Sequence, residues 1–222
     1  MLSRRAKAAY YSVMHYPMRV NALRHRLFAG ARANRRVQLG PGQEHYLDGW
    51  VNVDANCFSA KIDVWADISA TLPFRSETVD AFYSHHVIEH LADAALPFHF
   101  AELFRCLKPG GVIRVGGPNG EVAIERFLAA DTEWFSDFPD KRNSIGGRLA
   151  NFILCRGEHL TILTSSYLRE IGESAGFRNI NFKRPNTETG FPLIFDEQVL
   201  SNESEETPDF PHTLLMEAVK PI

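Results

Sequence analysis

This sequence lacks long apolar runs, paired cysteines and, over its first 36 residues, acidic side chains. No stretch of about 18 consecutive apolar residues is present, so a membrane-spanning helix is not expected. The first residues hold no apolar signal-peptide core, which argues against secretion. The three cysteines of the 222-residue chain form no CxxC pair, so we expect a reducing compartment, the cytoplasm, and no structural zinc site.

The absence of acids from residues 1–36, which carry nine Lys and Arg, places a basic arm beside an acidic body. We predict an arm over residues 1–35 that is helical in pieces, broken at Pro17 and packed on the body. Weak contact of residues 1–36 with an anionic membrane surface stays open. The aromatic residues of the arm form no recognisable platform for RNA, so no sequence-specific nucleic-acid partner is expected.

Residues 36–222 alternate between strand-like and helix-like segments, which predicts a mainly parallel sheet with helices on both faces. Helices are predicted at residues 88–107 and 165–177, the second with serine at its cap and Gly176 at its end. An aromatic-rich insertion covers residues 118–160, and an acidic, solvated loop is predicted at residues 196–210. The predicted strands are VQL (37–39), WVNVD (50–54), KIDVWAD (61–67), VDAFYS (79–84), VIRVGG (112–117), RNINFKR (178–184) and TLLMEAVK (213–220).

Several chemistry-bearing residues fall where predicted strands end, and ligands of parallel sheets lie outside these carboxyl ends. Gly40 and Gly42 either make an ordinary turn or let the backbone approach a ligand. Asp54 either caps a helix or accepts the two hydrogen bonds of a ribose diol. Asp67 either caps the next segment or accepts from an adenine amine. Ser84 ends the fourth strand at the same edge.

The histidines offer candidates for a general base. The stretch HVIEH (86–90) matches a zinc-peptidase pattern, but no third ligand is evident on a nearby helix, so no metal site is predicted. Instead we expect Glu89 in a first helical turn, and His90 as a structural side chain. His86 is the first candidate base, and His159, which follows the aromatic insertion, is the second.

The ordered segments VQLGPG, GWVNVD, ADISATLPF, VDAFYSHHVIEHL and LFRCLKPGGVIRVGGPN resemble those of class I S-adenosylmethionine-dependent methyltransferases. They are especially similar to a small bacterial branch that often accompanies polysaccharide or lipopolysaccharide assembly genes. The resemblance covers residues 36–117 and resumes at residues 158–177 and at LLMEAVK. It implies a Rossmann-like sheet of seven strands, the last antiparallel to the others, and S-adenosylmethionine as the cofactor.

The resemblance also implies roles for individual residues. Gly40 and Gly42 would lie against the methionine and ribose, and Asp54 would hold the ribose hydroxyls. Asp67 and Ile68 would flank the adenine. Ser84 and His85 would line the floor of the site near the sulfonium.

The first strand-to-strand connection departs from the family pattern. QEHYLDGW is too short for the helix that many members have there. We therefore hypothesise that Arg35 or Arg36 replaces the usual contact with the methionine carboxylate.

The expected activity is methylation of a hydroxyl on a saccharide or another small acceptor, which would enter over residues 118–160. Trp134, Phe135 and Phe138 either stack on this acceptor or pack as a lid. A non-catalytic nucleoside-binding scaffold or regulatory subunit stays open as an alternative. A nicotinamide oxidoreductase is disfavoured, because His45 replaces the third glycine of the dinucleotide fingerprint.

Overall fold

The computed structural model describes residues 4–28, 35–58, 60–203, 207 and 209–222, with side chains from residue 9 onward. The described residues form one seven-stranded sheet of order β3-β2-β1-β4-β5-β7-β6. Strands β1 to β5 are parallel, and β7 is antiparallel to both of its neighbours, as predicted. The strands are β1 (Arg36–Leu39), β2 (Val51–Asp54), β3 (Val64–Trp65), β4 (Val79–His85), β5 (Leu107–Pro118), β6 (Arg178–Lys183) and β7 (Thr213–Val219).

Helices and short turns cover both faces of this sheet. Alternate residues of β4 show the two faces, since Phe82 packs in the main core while Ala81 and Tyr83 pack in a second apolar cluster. No helix within the described ranges is both long and apolar enough to cross a membrane. The α-helices are α1 (Arg4–Phe28), α2 (Leu96–Cys106), α3 (Gly120–Leu128), α4 (Ile145–Leu154), α5 (Ser165–Ala175) and α6 (Glu197–Ser201), and 3-10 turns cover Ile88–His90, Asp93–Ala95 and Cys155–Gly157.

The helix boundaries follow the capping signals with two adjustments. Thr164 rather than a serine caps α5, because its side chain accepts from the Tyr167 N–H, and Gly176 at φ +106° ends the helix as predicted. The predicted helix over residues 88–107 is divided into two 3-10 turns followed by α2, because Leu91 is extended and the chain turns there. The spacing of apolar residues in the sequence does not predict such a turn.

The predicted break at Pro17 is wrong, because α1 runs continuously through this residue. A proline inside a helix costs about 3 kcal/mol. Contacts on its C-terminal side offset that cost: Met18 is fully buried, Asn21 donates to the Trp65 carbonyl at 2.7 Å, and a His25 ring nitrogen lies 2.8 Å from the Pro73 carbonyl. The predicted packing of the helix on the body is observed.

The prediction of a solvated loop at residues 196–210 is wrong for its first half. Residues Glu197–Ser201 form α6, and Glu203 is only 2% exposed. Its carboxylate accepts from the guanidinium of Arg114 at 2.6 and 2.8 Å, and Glu217 accepts from the same guanidinium at 2.6 Å. The positive charge of Arg114, buried in β5, compensates these acids, and no sequence pattern predicts this pairing.

The aromatic residues of the insertion form a small core of their own. Trp134 and Phe135 are buried against α3 and α4, and the Trp134 ring stacks on His212 at 4.3 Å. Trp134 and Phe135 thus pack within the insertion itself, because burial there satisfies their apolar surface. Phe138 is 64% exposed and keeps its predicted role open. The division into an arm and a main domain stays a prediction.

Candidate functional site

Gly40 and Gly42 form the turn after β1, and Asp54 closes it from the end of β2. The φ angles of the two glycines, +69° and +59°, favour glycine over other residues. Asp54 accepts the peptide N–H of Gly42 at 3.2 Å and that of Asn56 at 2.8 Å. Burial raises the pKa of Asp54, and these N–H groups oppose the shift. The structure therefore brings these three predicted residues together, and the half-buried carboxylate can accept further hydrogen bonds.

The two glycines are required for different reasons. A Cβ atom at Gly40 would lie 2.3 Å from a Val87 methyl, so this glycine lets the turn after β1 pack on the chain that leaves β4. A Cβ atom at Gly42 would meet nothing within 4 Å among the described residues. The space beside Gly42 is therefore open to a ligand, whereas that beside Gly40 is filled by the protein.

Asp67 and Ile68 follow β3 at the same edge. One Asp67 oxygen accepts from the Ser69 N–H at 2.9 Å and from its hydroxyl at 2.7 Å, which is the capping role that the sequence left open. Asp67 also lines a cavity of about 340 Å³ between α1 and this loop. Ile68 packs against the main core, and buried His99 donates to its carbonyl at 3.0 Å. A contact of either residue with adenine stays a prediction.

Ser84 and His85 end β4 beside β1, where the register pairs Ser84 with Leu39. Ser84 is fully buried, and its hydroxyl has no hydrogen-bond partner within the described part of the chain. A buried hydroxyl in this state costs about 1–3 kcal/mol, so a polar ligand atom here would recover energy. The His85 ring stacks on Tyr83 with centroids 6.4 Å apart and meets the His86 ring edge-on at 4.5 Å.

His86 is held in the left-handed region at φ +54°, and both of its ring nitrogens are engaged. Nδ1 lies 3.2 Å from an oxygen of Glu89, and Nε2 lies 3.0 Å from the Thr213 hydroxyl. Because a carboxylate accepts, Nδ1 carries the hydrogen, and Nε2 accepts from the hydroxyl. A buried carboxylate behind a half-exposed imidazole orients the ring as a general base requires.

His159 lies beside Glu89 and His90 rather than apart from them. Its Nδ1 donates to the Ile153 carbonyl at 3.2 Å, and its ring centroid is 5.1 Å from that of His90. Burial lowers the pKa of His159, and the negative charge of Glu89 opposes the shift, so the ring is neutral near pH 7. This grouping was not predicted, since His159 is distant in sequence, although the HVIEH stretch contained two of its members.

The hypothesis for Arg35 and Arg36 is wrong, because both lie at the amino end of β1, opposite to the glycine turn. Arg35 reaches the Thr78 hydroxyl at 3.5 Å, and Arg36 donates to the Ile194 carbonyl at 3.3 Å. The shortened connection that motivated the hypothesis is confirmed, since residues 40–50 are all described and none is helical.

The N-terminal helix reaches the site instead through two tyrosines that sequence reasoning missed. The Tyr10 hydroxyl donates to the carbonyl of Ala55, directly after Asp54, at 2.6 Å. Partial burial, with the negative charges of Asp54 and Asp67, raises the pKa of Tyr11 to about 12. Helix α1 therefore lies over the carboxyl ends of β2 and β3. No local motif marks these tyrosines, because only the packing of α1 brings them there.

The geometry places the glycine turn and the end of β4 where the strand order reverses, between β1 and β4. This switch point is the usual ligand site of an open parallel sheet. A comparison with protein families matches residues 39–115 to the family described as methyltransferase domain. The matched residues make up about a third of the chain. The matched segment begins at the last residue of β1 and includes most of β5.

Solved structures share this fold at low sequence identity. A SAM-dependent methyltransferase from Archaeoglobus fulgidus is 17% identical over 95% of this chain and 100% of its own, with a TM-score of 0.52. A chain from the Haloferax volcanii complex of the Trm112 activator with the putative methyltransferase is 18% identical over 96% and 92%, with a TM-score of 0.53.

A third similar structure contains two bound small molecules. It is the Haemonchus contortus phosphoethanolamine N-methyltransferase 2 with phosphomonomethylethanolamine and S-adenosylhomocysteine. It is 14% identical over 90% of this chain and 52% of its own, with a TM-score of 0.53. No curated protein matches the chain in sequence.

The match to the methyltransferase-domain family supports S-adenosylmethionine as the cofactor, and the residues present at the switch point fit it. The space beside Gly42 is open, and the Asp54 carboxylate can accept further hydrogen bonds. The buried Ser84 hydroxyl has no hydrogen-bond partner among the described residues. A nucleoside supplies donors and acceptors for each of these groups.

Proposed function

We propose that this protein is a S-adenosylmethionine-dependent methyltransferase that acts on a hydroxyl group of a saccharide or another small acceptor. The observation that carries the proposal is the contact between Asp54 and Gly42 at the switch point, inside the matched methyltransferase domain. A carboxylate at the end of β2 with an open glycine turn beside it suits a ribose diol. The bound cofactor would supply a methyl group on a positively charged sulfur.

The residues around the cofactor would act mainly by holding the reactants in line. Proximity and alignment supply about 7–11 kcal/mol of a barrier of this kind. Asp54 would hold the ribose, and the Ser84 hydroxyl would orient a polar atom at the floor of the site. Phe138, exposed on the insertion, remains a candidate contact for a flat sugar face.

A hydroxyl acceptor must also lose a proton, and His86 is the first candidate to take it. Its Nε2 would take the proton when the acceptor hydroxyl replaces that of Thr213, and Glu89 behind Nδ1 would stabilise the positive charge that the ring gains. His159 is the second candidate, because its pKa is lowered and the ring is neutral when it must accept. A positioned base contributes about 10²–10⁴-fold to the rate.

The missing helix between β1 and β2 favours one alternative, a nucleoside-binding scaffold that catalyses nothing. Without that helix, no helical N–H groups face the amino-acid part of the cofactor at this connection. Binding without turnover on hydroxyl acceptors would distinguish the scaffold from the enzyme.

Calorimetry with S-adenosylmethionine and S-adenosylhomocysteine tests the cofactor site. Asp54→Asn is expected to weaken the binding of both ligands about tenfold or more, since a hydrogen bond to a charged group contributes about 1.5–3 kcal/mol. Asp48→Asn, at an exposed aspartate of the same connection, is the matched control and should bind as the parent does. Equal affinities for the parent and Asp54→Asn would contradict the assignment.

Release of S-adenosylhomocysteine with a panel of sugars and other alcohols tests catalysis. His86→Ala is expected to lower turnover by about 10²-fold or more and to leave cofactor affinity nearly unchanged. Parallel losses in turnover and affinity would mean that His86 supports cofactor binding rather than proton transfer. Release from no hydroxyl acceptor, with intact cofactor binding, would favour the scaffold.

A further inference from the structure

Three side chains that could bind a metal ion meet where the 3-10 turn at Ile88–His90 touches the chain before α5. Glu89, His90 and His159 each offer one ligand atom, and these atoms all lie within 4.8 Å of one another. Nε2 of His90 is 4.0 Å from an oxygen of Glu89. The grouping therefore joins two parts of the chain that are far apart in sequence.

Backbone carbonyls fix both histidines in the same tautomer. Nδ1 of His90 lies 2.9 Å from the carbonyl of Glu158, and Nδ1 of His159 lies 3.2 Å from that of Ile153. Because a carbonyl only accepts, Nδ1 carries the hydrogen and Nε2 presents a lone pair in each neutral ring. Histidines that bind metals usually donate their other ring N–H in this way.

The buried carboxylate of Glu89 independently points to a cation ligand. Its side chain is 1% exposed, and within the described ranges its Oε2 has no hydrogen-bond partner. Gly117 leaves room for this oxygen, since a Cβ atom there would approach it to 2.8 Å. The oxygen near His90 is Oε1 of the same carboxylate, and a cation bound by this carboxylate would reduce the cost of burying its charge.

Hydrogen bonds between the two segments hold the ligands in place. The N–H of Leu160 donates to the carbonyl of Glu89 at 2.7 Å, and the Thr161 hydroxyl donates to that of Leu91 at 3.0 Å. Together with the bond from His90, they fix the residues on both sides of His159. Such support keeps the side chains close before an ion binds.

We propose that Glu89, His90 and His159 bind a divalent transition-metal ion, with zinc as the first candidate. Two imidazoles and one carboxylate suit zinc, whereas magnesium and calcium prefer oxygen ligands alone. Metal–ligand bonds of about 2.0–2.2 Å would draw the ligand atoms to about 3.3 Å from one another, which needs only small side-chain movements. The 45% exposed side chain of His90 opens the site to solvent.

The position of the ion would matter for the proposed reaction, and this consequence rests on the proposed function. Nε2 of His159 would then bind the ion and not act as a base, so His86 is the base, and it contacts Oε1 of Glu89. The peptide N–H of His86 donates to the Gly116 carbonyl in β5. Three protein ligands leave a coordination position for an oxygen ligand. An acceptor hydroxyl bound there would lose its proton more readily.

Metal titration of the full chain tests the site. The chain is stripped with a chelator, titrated with Zn²⁺ by calorimetry, and loaded with Co²⁺ for visible absorption spectra. The parent is expected to bind a single Zn²⁺ and to give the absorption of Co²⁺ with nitrogen and oxygen ligands. His159→Ala and His90→Ala should each weaken Zn²⁺ binding about tenfold or more, whereas His15→Ala, at an exposed histidine, is the control and should not.

Two further readouts keep the outcomes separate. Circular dichroism of each variant establishes folding, and His90→Ala is the safer variant because its side chain is half-exposed. No Zn²⁺ binding by the folded parent, or equal binding by the parent and both variants, would overturn the proposal. S-adenosylmethionine titrated into the same samples reports on the cofactor site. A parent that binds the cofactor but not Zn²⁺ refutes the metal site alone. A parent that binds Zn²⁺ but not the cofactor refutes the proposed function alone.

Discussion

Buried His99 should make the stability of the fold depend on pH. The residue is fully buried in α2, Nδ1 donates to the Ile68 carbonyl at 3.0 Å, and Nε2 has no hydrogen-bond partner among the described residues. Burial lowers the pKa of His99 from 6.5 to about 4. Between these values the unfolded chain binds more protons than the folded one. The free energy of unfolding therefore decreases as the pH falls from about 6.5 to about 4.

The pKa shift sets the size of this effect. The full difference corresponds to about 3 kcal/mol, of which about 2 kcal/mol is lost between about pH 7.5 and about pH 5. Urea denaturation at these two values measures the loss. His99→Gln should remove about 2 kcal/mol of the pH dependence, whereas His15→Gln on the exposed side of α1 should keep it. An unchanged pH dependence in His99→Gln would refute the reasoning.

Two further substitutions test packing that positions the site. Gly40→Ala should lower the free energy of unfolding by about 2 kcal/mol or more and weaken cofactor binding, because its Cβ would overlap Val87. Gly42→Ala should lower it by only about 1 kcal/mol. Denaturation midpoints and calorimetry compare the two variants, and equal losses would argue against the overlap. Arg114→Met should cost about 3–5 kcal/mol, because two buried glutamates lose their cation. Arg156→Met, at an exposed ion pair, is its control, and similar urea midpoints for the two variants would contradict the buried network.

The candidate site was partly predictable because some of its residues depend on strand order alone. Asp54 and Gly42 follow neighbouring parallel strands, so the topology places them at one edge whatever the loops do. The group at Glu89, His90 and His159 depends instead on how residues 155–161 fold back on the turn after β4. The spacing of side chains in the sequence does not predict how residues 155–161 pack on that turn.

The helical arm shows the same division between local pattern and tertiary packing. Pro17 predicts a break from local chemistry, yet buried Met18 and the bonds of Asn21 and His25 hold the helix together. The roles of Trp134 and Phe135 were likewise undecided until the insertion was seen to bury them in its own core. In each case long-range burial outweighs a local preference of a few kcal/mol.

Apolar periodicity and turn residues by themselves predicted the strands, their mainly parallel arrangement and the sheet edge at which ligands are expected, because these follow from local backbone geometry. Only the tertiary structure decided which side chains share that edge. It placed α1 over Asp54, filled the space beside Gly40 with Val87, and brought His159 to Glu89. Such contacts depend on the simultaneous packing of distant segments, and no local stretch of the chain specifies them.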